Sequence, residues 1–173
     1  MIAAIGSNAF LLQQLCKLFA IVIAIVLLRP YVAFAQVHQH ASEDGTSVIR
    51  SLESLRDLDY QSWQIIAYRQ GSLGEPVTLR IVGYPGKMRL DHPVDLRVIS
   101  GRREWLLPDI TLDNPSLAKD GRAAAAEFTL DPLLDGLNNS RPLRLYLPGV
   151  LNELPVPPYV VGEWREIRYR PLS

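Results

Sequence analysis

The sequence predicts an all-β domain, either an antiparallel sandwich or a small barrel with one short helix, placed after an N-terminal signal segment. Three observations predict it. Apolar and polar residues alternate in several short runs, Pro and Gly turn signals separate those runs, and only one segment carries helix start and stop signals. Many short strands joined by such turns give a sandwich or a barrel rather than an α/β fold.

The first element is apolar. Residues 18–28, "LFAIVIAIVLL", are 11 uninterrupted apolar positions between Lys17 and the pair Arg29-Pro30. That length suits a secretory signal core, whereas a membrane-spanning helix needs about 20. Pro30 ends the helix, and Ala33 and Ala35 then form the A-x-A pattern that a signal peptidase accepts in its two tight pockets. Cleavage is expected after Ala35. The alternative is an uncleaved anchor starting near Phe10, which would be the chain's one membrane contact; in both cases the body lies outside the cytoplasm.

Cys16 is the single cysteine. Leu15 before it is too large for lipidation, and the apolar run follows rather than precedes it, so Cys16 is expected to leave with the signal. The remaining chain then has no disulfide, no cysteine-ligated metal or haem and no thiol chemistry, and its stability must come from an apolar core.

Residues 36–47 read as a flexible polar leader and residues 48–173 as a single β-domain. Within it, "VTLRI" puts Val77, Leu79 and Ile81 on one face, "VDLRV" does the same with Val94, Leu96 and Val98, and "LRLYL" with Leu143, Leu145 and Leu147. Arg80 and Arg97 then point to a wet face, as in an antiparallel sheet covered on one side. "WQIIAYRQ" at 63–70 and "EFTL" at 127–130 read as further strands, and "VIRSLESL" at 48–55 fits a helix or a hairpin strand. "YPGK" at 84–87 supplies a type II turn, and "SGRR" at 100–103 joins Val98 and Ile99 to Trp105 and Leu107 as a hairpin.

"DPLLDGLNN" at 131–139 is the short helix, with Asp131 as N-cap and Pro132 at the first helical position. "LPVPPY" at 154–159 reads as an extended connector. In the closing segment Val161 and Ile167 share one parity while Val160 and Trp164 share the other, which predicts a last strand with a bulge between Trp164 and Ile167.

The stretches "SLRD" at 54–57, "SWQ" at 62–64, "LRIVGYPG" at 79–86, "LDHP" at 90–93 and "GEWRE" at 162–166 resemble a cyanobacterial family of exported proteins catalogued as domain of unknown function 3122. The resemblance implies a cyanobacterial source and export to the periplasm or the thylakoid lumen. It implies no active-site residue, substrate or cofactor.

Catalytic patterns are sparse. His92 is the one histidine on the patterned body, and a hydrolase would have to use it; Asp91 beside it cannot orient its ring as a triad acid without special geometry, and no G-x-S-x-G elbow occurs. Asp57 and Asp59 read as turn chemistry. Glu163 and Glu166 lie among Arg165, Arg168 and Arg170 and are expected to stay ionised, which does not suit a general acid. No phosphate-cradling loop and no H-E-x-x-H is present, so no cofactor is expected. If cleavage leaves Gln36 first with a free amine, His38 in third place completes a square-planar Cu(II) or Ni(II) site; cyclisation of Gln36 would abolish it.

Charge is more informative. Both basic residues of the first 35 positions, Lys17 and Arg29, lie apart from any acid, which leaves 16 basic against 18 acidic residues in the rest and argues against nucleic acid as a partner. Residues 80–103 are locally basic (Arg80, Lys87, Arg89, Arg97, Arg102, Arg103), and residues 109–135 are locally acidic. Either the two segments neutralise each other, or Arg80, Arg97, Arg102 and Arg103 form a face for a charged partner. The leading expectation is a non-catalytic exported β-domain that binds a protein through those arginines, with a complex at the photosynthetic membrane as the partner that the resemblance suggests. A carrier of a small apolar or lipid ligand is the alternative, and it requires an enclosed apolar cavity.

Overall fold

The computed structural model describes residues 17, 38–41, 47–84, 92–119 and 124–171. The chain divides into two units, Met1–Phe34 and Ala35–Ser173, and the description below concerns the second. Ala33, Ala35, Gln36 and the "YPGK" turn from Pro85 onward lie outside the described residues.

Among the described residues nine strands, all paired antiparallel, form two sheets. The first contains β1 (His38–Ala41), β2 (Ser47–Arg56), β3 (Ser62–Gln70), β4 (Thr78–Val82) and β7 (Ala125–Thr129), in the order β1-β2-β3-β4-β7. The second contains β5 (Leu96–Ser100), β6 (Arg103–Leu107), β8 (Leu143–Leu147) and β9 (Leu151–Val156), in the order β6-β5-β8-β9. Neither sheet closes into a barrel, so of the two architectures expected the sandwich is the one formed. Its core is a single cluster to which Ile65, Leu79 and Phe128 of one sheet and Val98, Leu145 and Leu154 of the other contribute fully buried side chains.

The alternating runs take the faces that their pattern requires. Val77, Leu79 and Ile81 are buried, as are Leu96 and Val98, and Leu143, Leu145 and Leu147. The ambiguous segment at 48–55 is strand β2, hairpinned onto β3 from Val48↔Gln70 to Arg56↔Ser62. Asp57 holds the turn between them: its carboxylate accepts the Gln61 N–H and the Trp63 indole N–H, each at 2.8 Å. The left-handed position in that turn falls on Tyr60, with φ +60°, and not on an aspartate. The leader is shorter than expected, because residues 38–41 pair as β1 with β2, His38 opposite Arg50.

A 3-10 turn, Thr111–Asp113, and the short helix α1, Pro115–Ala118, connect β6 to β7. The short helix read from the sequence is α2, Asp131–Gly136. Asp131 lies inside it rather than capping it, since its carboxylate is turned toward the Val77 N–H at 3.2 Å.

The closing segment is a correction. Residues 158–169 are not a bulged strand but a 12-residue helix, α3 (Pro158–Tyr169), which packs against β2 and β3. Pro158 stands at the first helical position, where a missing N–H costs nothing and the fixed φ suits the helix. Val160, Val161, Trp164 and Ile167 are all buried, and their spacing of one, three and three is a helical stripe. The break in parity read as a bulge was this period. The connector is likewise shorter than expected, since Leu154, Pro155 and Val156 belong to β9 at the edge of the second sheet.

Candidate functional site

The helical geometry of the closing segment relocates the carboxylate pair. Glu163 faces inward from α3, 6% exposed, and its Oε2 accepts from the Ser51 hydroxyl of β2 while Oε1 is buried without a partner. Burial pushes its carboxyl up against the lowering effect of the Ser51 bond, and the charges of Glu53 and Glu166 push it further. The arginine pairing expected of Glu163 is not formed among the described residues, because its carboxylate is turned to Ser51. Glu166 lies on the outside and pairs with Arg170 at 3.2 Å.

His92 finds its acid elsewhere than in Asp91. Its Nδ1 meets Asp109 Oδ2 at 2.7 Å, and Asp109 also accepts the backbone N–H groups of Val94 and Thr111 at 2.9 Å each. Burial raises the Asp109 carboxyl, but the bonds from the Thr111 hydroxyl, His92, Val94 and Thr111 outweigh it and hold the group below the usual carboxylate range. An acid that orients a histidine is two-thirds of a triad. The remaining nitrogen, His92 Nε2, is buried and meets no hydroxyl, so the contact between nucleophile and base is missing among the described residues.

The four arginines singled out in the sequence are spread over three places. Arg80 lies on the outer face of the first sheet, where its Nε donates to Glu127 Oε1 at 2.7 Å. Glu127 also accepts from the Tyr68 hydroxyl at 2.6 Å and from Asn114 Nδ2 at 3.1 Å. Burial, then the bond to Glu127 and its charge, push Tyr68 up to about 12. Here the basic and acidic segments neutralise each other. Arg97 lies on the outer face of the second sheet, its guanidinium 4.3 Å from the centre of the Tyr146 ring.

Only Arg102 and Arg103 remain together, at the β5–β6 hairpin. Ser100 and Arg103 are its last pair, and Gly101 takes φ +60° at the first turn position, as a two-residue turn of type II′ demands. Arg103 Nη1 donates to the Gly136 carbonyl at the end of α2, at 2.8 Å. The pairing of β5 with β8 brings the 138–142 loop alongside, with the Ser100 hydroxyl donating to the Pro142 carbonyl at 3.3 Å. A pocket of about 400 Å³ opens between these elements, walled by Arg102, Arg103, Arg141, Trp105, Leu137 and Asn138. Gly136 lets α2 lie on the Trp105 ring, because a Cβ there would stand 2.6 Å from the indole nitrogen.

The three pocket arginines differ electrostatically from those that are ion-paired within the fold. Arg144 lies 3.4 Å from Glu153, and Arg168 lies 2.6 Å from Asp135. Among the described residues no carboxylate pairs with Arg102, Arg103 or Arg141, so their N–H groups are available to an incoming anion. Sequence reasoning missed Arg141 and Trp105 as members of this group, because only the β5–β8 pairing brings them to the hairpin.

The family whose model is described as "Protein of unknown function (DUF3122)" matches residues 35–167. The chain belongs to this family. The match takes in all of the second unit but its last residues, so the pocket, the His92–Asp109 pair and the Ser51–Glu163 contact all lie within the DUF3122 domain. No curated protein and no solved structure matches the chain.

His38, a copper or nickel ligand only if the Gln36 amine is free, lies in β1 with its side chain outside the described residues. Among the described residues no helix is long and apolar enough to cross a membrane.

Proposed function

We propose that this DUF3122 domain is an exported, non-catalytic binding module that docks on a protein partner through the arginines at the β5–β6 turn. One observation carries the reading: Arg102, Arg103 and Arg141 converge on a pocket with no carboxylate partner, whereas Arg80, Arg144 and Arg168 are neutralised within the fold. Unpaired guanidiniums give a module the means to steer and orient an acidic partner. The apolar run at 18–28, the A-x-A pattern at Ala33 and Ala35 and the lack of cysteine after Cys16 support export. The family resemblance suggests the periplasm or thylakoid lumen, with a complex at the photosynthetic membrane as partner.

The carrier alternative loses support because the side chains that would line a lumen, such as Ile65, Phe128, Leu145 and Trp164, are packed to 0% exposure. The test is co-purification of the tagged full chain from its native host. Replacing Arg102→Glu together with Arg141→Glu is expected to abolish recovery of the partner while moving the melting temperature by only about 2 °C. Undiminished recovery overturns the reading.

A further inference from the structure

We infer that the pocket at the β5–β6 turn takes the carboxylate of an acidic peptide segment that carries an apolar side chain beside it. The inference rests on the binding-module reading above and names what the module grips. The pocket has two kinds of wall. Arg102, Arg103 and Arg141 supply charge, and the half-buried Trp105 ring and Leu137 supply an apolar floor. A bare ion would use only the first wall, whereas an acidic residue next to an apolar one uses both.

Charge favours a carboxylate over a phosphate dianion. Arg103 is fixed by the bond from its Nη1 to the Gly136 carbonyl, so its remaining N–H edge is held in a fork that can grip an anion bidentately. The same carbonyl marks the C-terminal end of α2, whose partial negative charge disfavours a dianion more than a monoanion. Of the carboxylates near the pocket residues in sequence, Asp135 is engaged by Arg168 at 2.6 Å and Asp131 by the Val77 N–H, while Glu104, between Arg103 and Trp105 in β6, alternates to the other face of the strand and does not wall the pocket.

Trp105 provides the readout. Trp63 and Trp164 are 1% and 0% exposed, so acrylamide quenching of the full chain reports Trp105, with Trp105→Phe as the control. A capped peptide of alternating Glu and Leu is expected to protect Trp105 saturably, and the same peptide with Gln for Glu is expected to give no protection. Arg103→Lys keeps the charge but removes the fork and should weaken the peptide at least about tenfold. Inorganic phosphate or phosphatidylglycerol vesicles that protect Trp105 as well as the peptide does would overturn the carboxylate assignment. So would equal affinity of the Arg103→Lys protein, provided its far-ultraviolet spectrum is native. The two proposals fail separately. No peptide binding, with partner recovery still abolished by Arg102→Glu and Arg141→Glu, sinks the pocket assignment and leaves the module. Peptide binding, with partner recovery untouched by the same variant, sinks the module and leaves the pocket.

Discussion

Arg69 of β3 reaches across the core to Arg168 of α3, donating from Nη1 to its backbone carbonyl at 2.7 Å. Nη2 serves the Arg170 carbonyl in the same way, so one side chain with 0% exposure ties down the C-terminal end of the helix. Those carbonyls have no partner within the helix, and a cation beside them complements its dipole. Arg69→Ala is expected to cost about 2–4 kcal/mol in urea unfolding. It should also speed hydrogen exchange in residues 160–169 more than in β8, which would separate loss of the helix anchor from general loosening.

Glu163 makes stability depend on pH in the direction opposite to an ordinary ion-paired acid. Its folded pKa lies above its unfolded one, so between the two values the native state holds more protons than the unfolded state, and stability falls as pH rises through that window. The groups that face it, Ser51, Glu53, Glu166 and Tyr159, include no cation to offset the charge. Glu163→Gln should therefore raise the melting temperature at pH 7 and flatten its slope on the acid side. A variant less stable than the parent at pH 7 would contradict this.

Asp109 works the other way. Its folded pKa is held below the unfolded value, so the stability it contributes is present above the unfolded pKa and is lost as pH falls through the folded one. Asp109→Asn keeps the shape but leaves His92 and the N–H groups of Val94 and Thr111 with a weaker acceptor. Urea titrations should show a loss of about 1–3 kcal/mol at pH 7 that shrinks toward pH 3.

Gly136 brings the backbone of α2 against the Trp105 ring. In Gly136→Ala the new methyl would fall 2.6 Å from Trp105 Nε1 and must displace the indole. The expected signs are a red-shifted tryptophan emission and weaker binding of the Glu-Leu peptide, with the helix signal retained.

Strands β3, β4, β5 and β8 were legible because alternation is a property of adjacent residues, and so was the β5–β6 hairpin with Gly101 at its turn. The segment from Pro158 onward was not, since Pro155, Pro157 and Pro158 suggested extended chain and a short apolar stripe satisfies either period until its partner is known. The site followed the same division. Arg102 and Arg103 stood out as a hairpin tip. That Arg80 is spent on Glu127, that Asp109 holds His92 and that Arg141 joins Arg103 all depend on pairings distant in sequence.

The proline within β9 has a consequence for the domain in company with its own copies. β9 is an edge of the second sheet, and at Pro155 it has no N–H to offer a neighbouring strand. The edge of the first sheet at β7 is closed differently, by the chain at Pro108–Ile110, which takes up the Thr129 N–H at 3.1 Å and bridges Asp109 to Phe128. Of the four sheet edges among the described residues, two thus resist strand addition, a protection against fibril-like stacking in a protein whose strands are as apolar as "LRLYL".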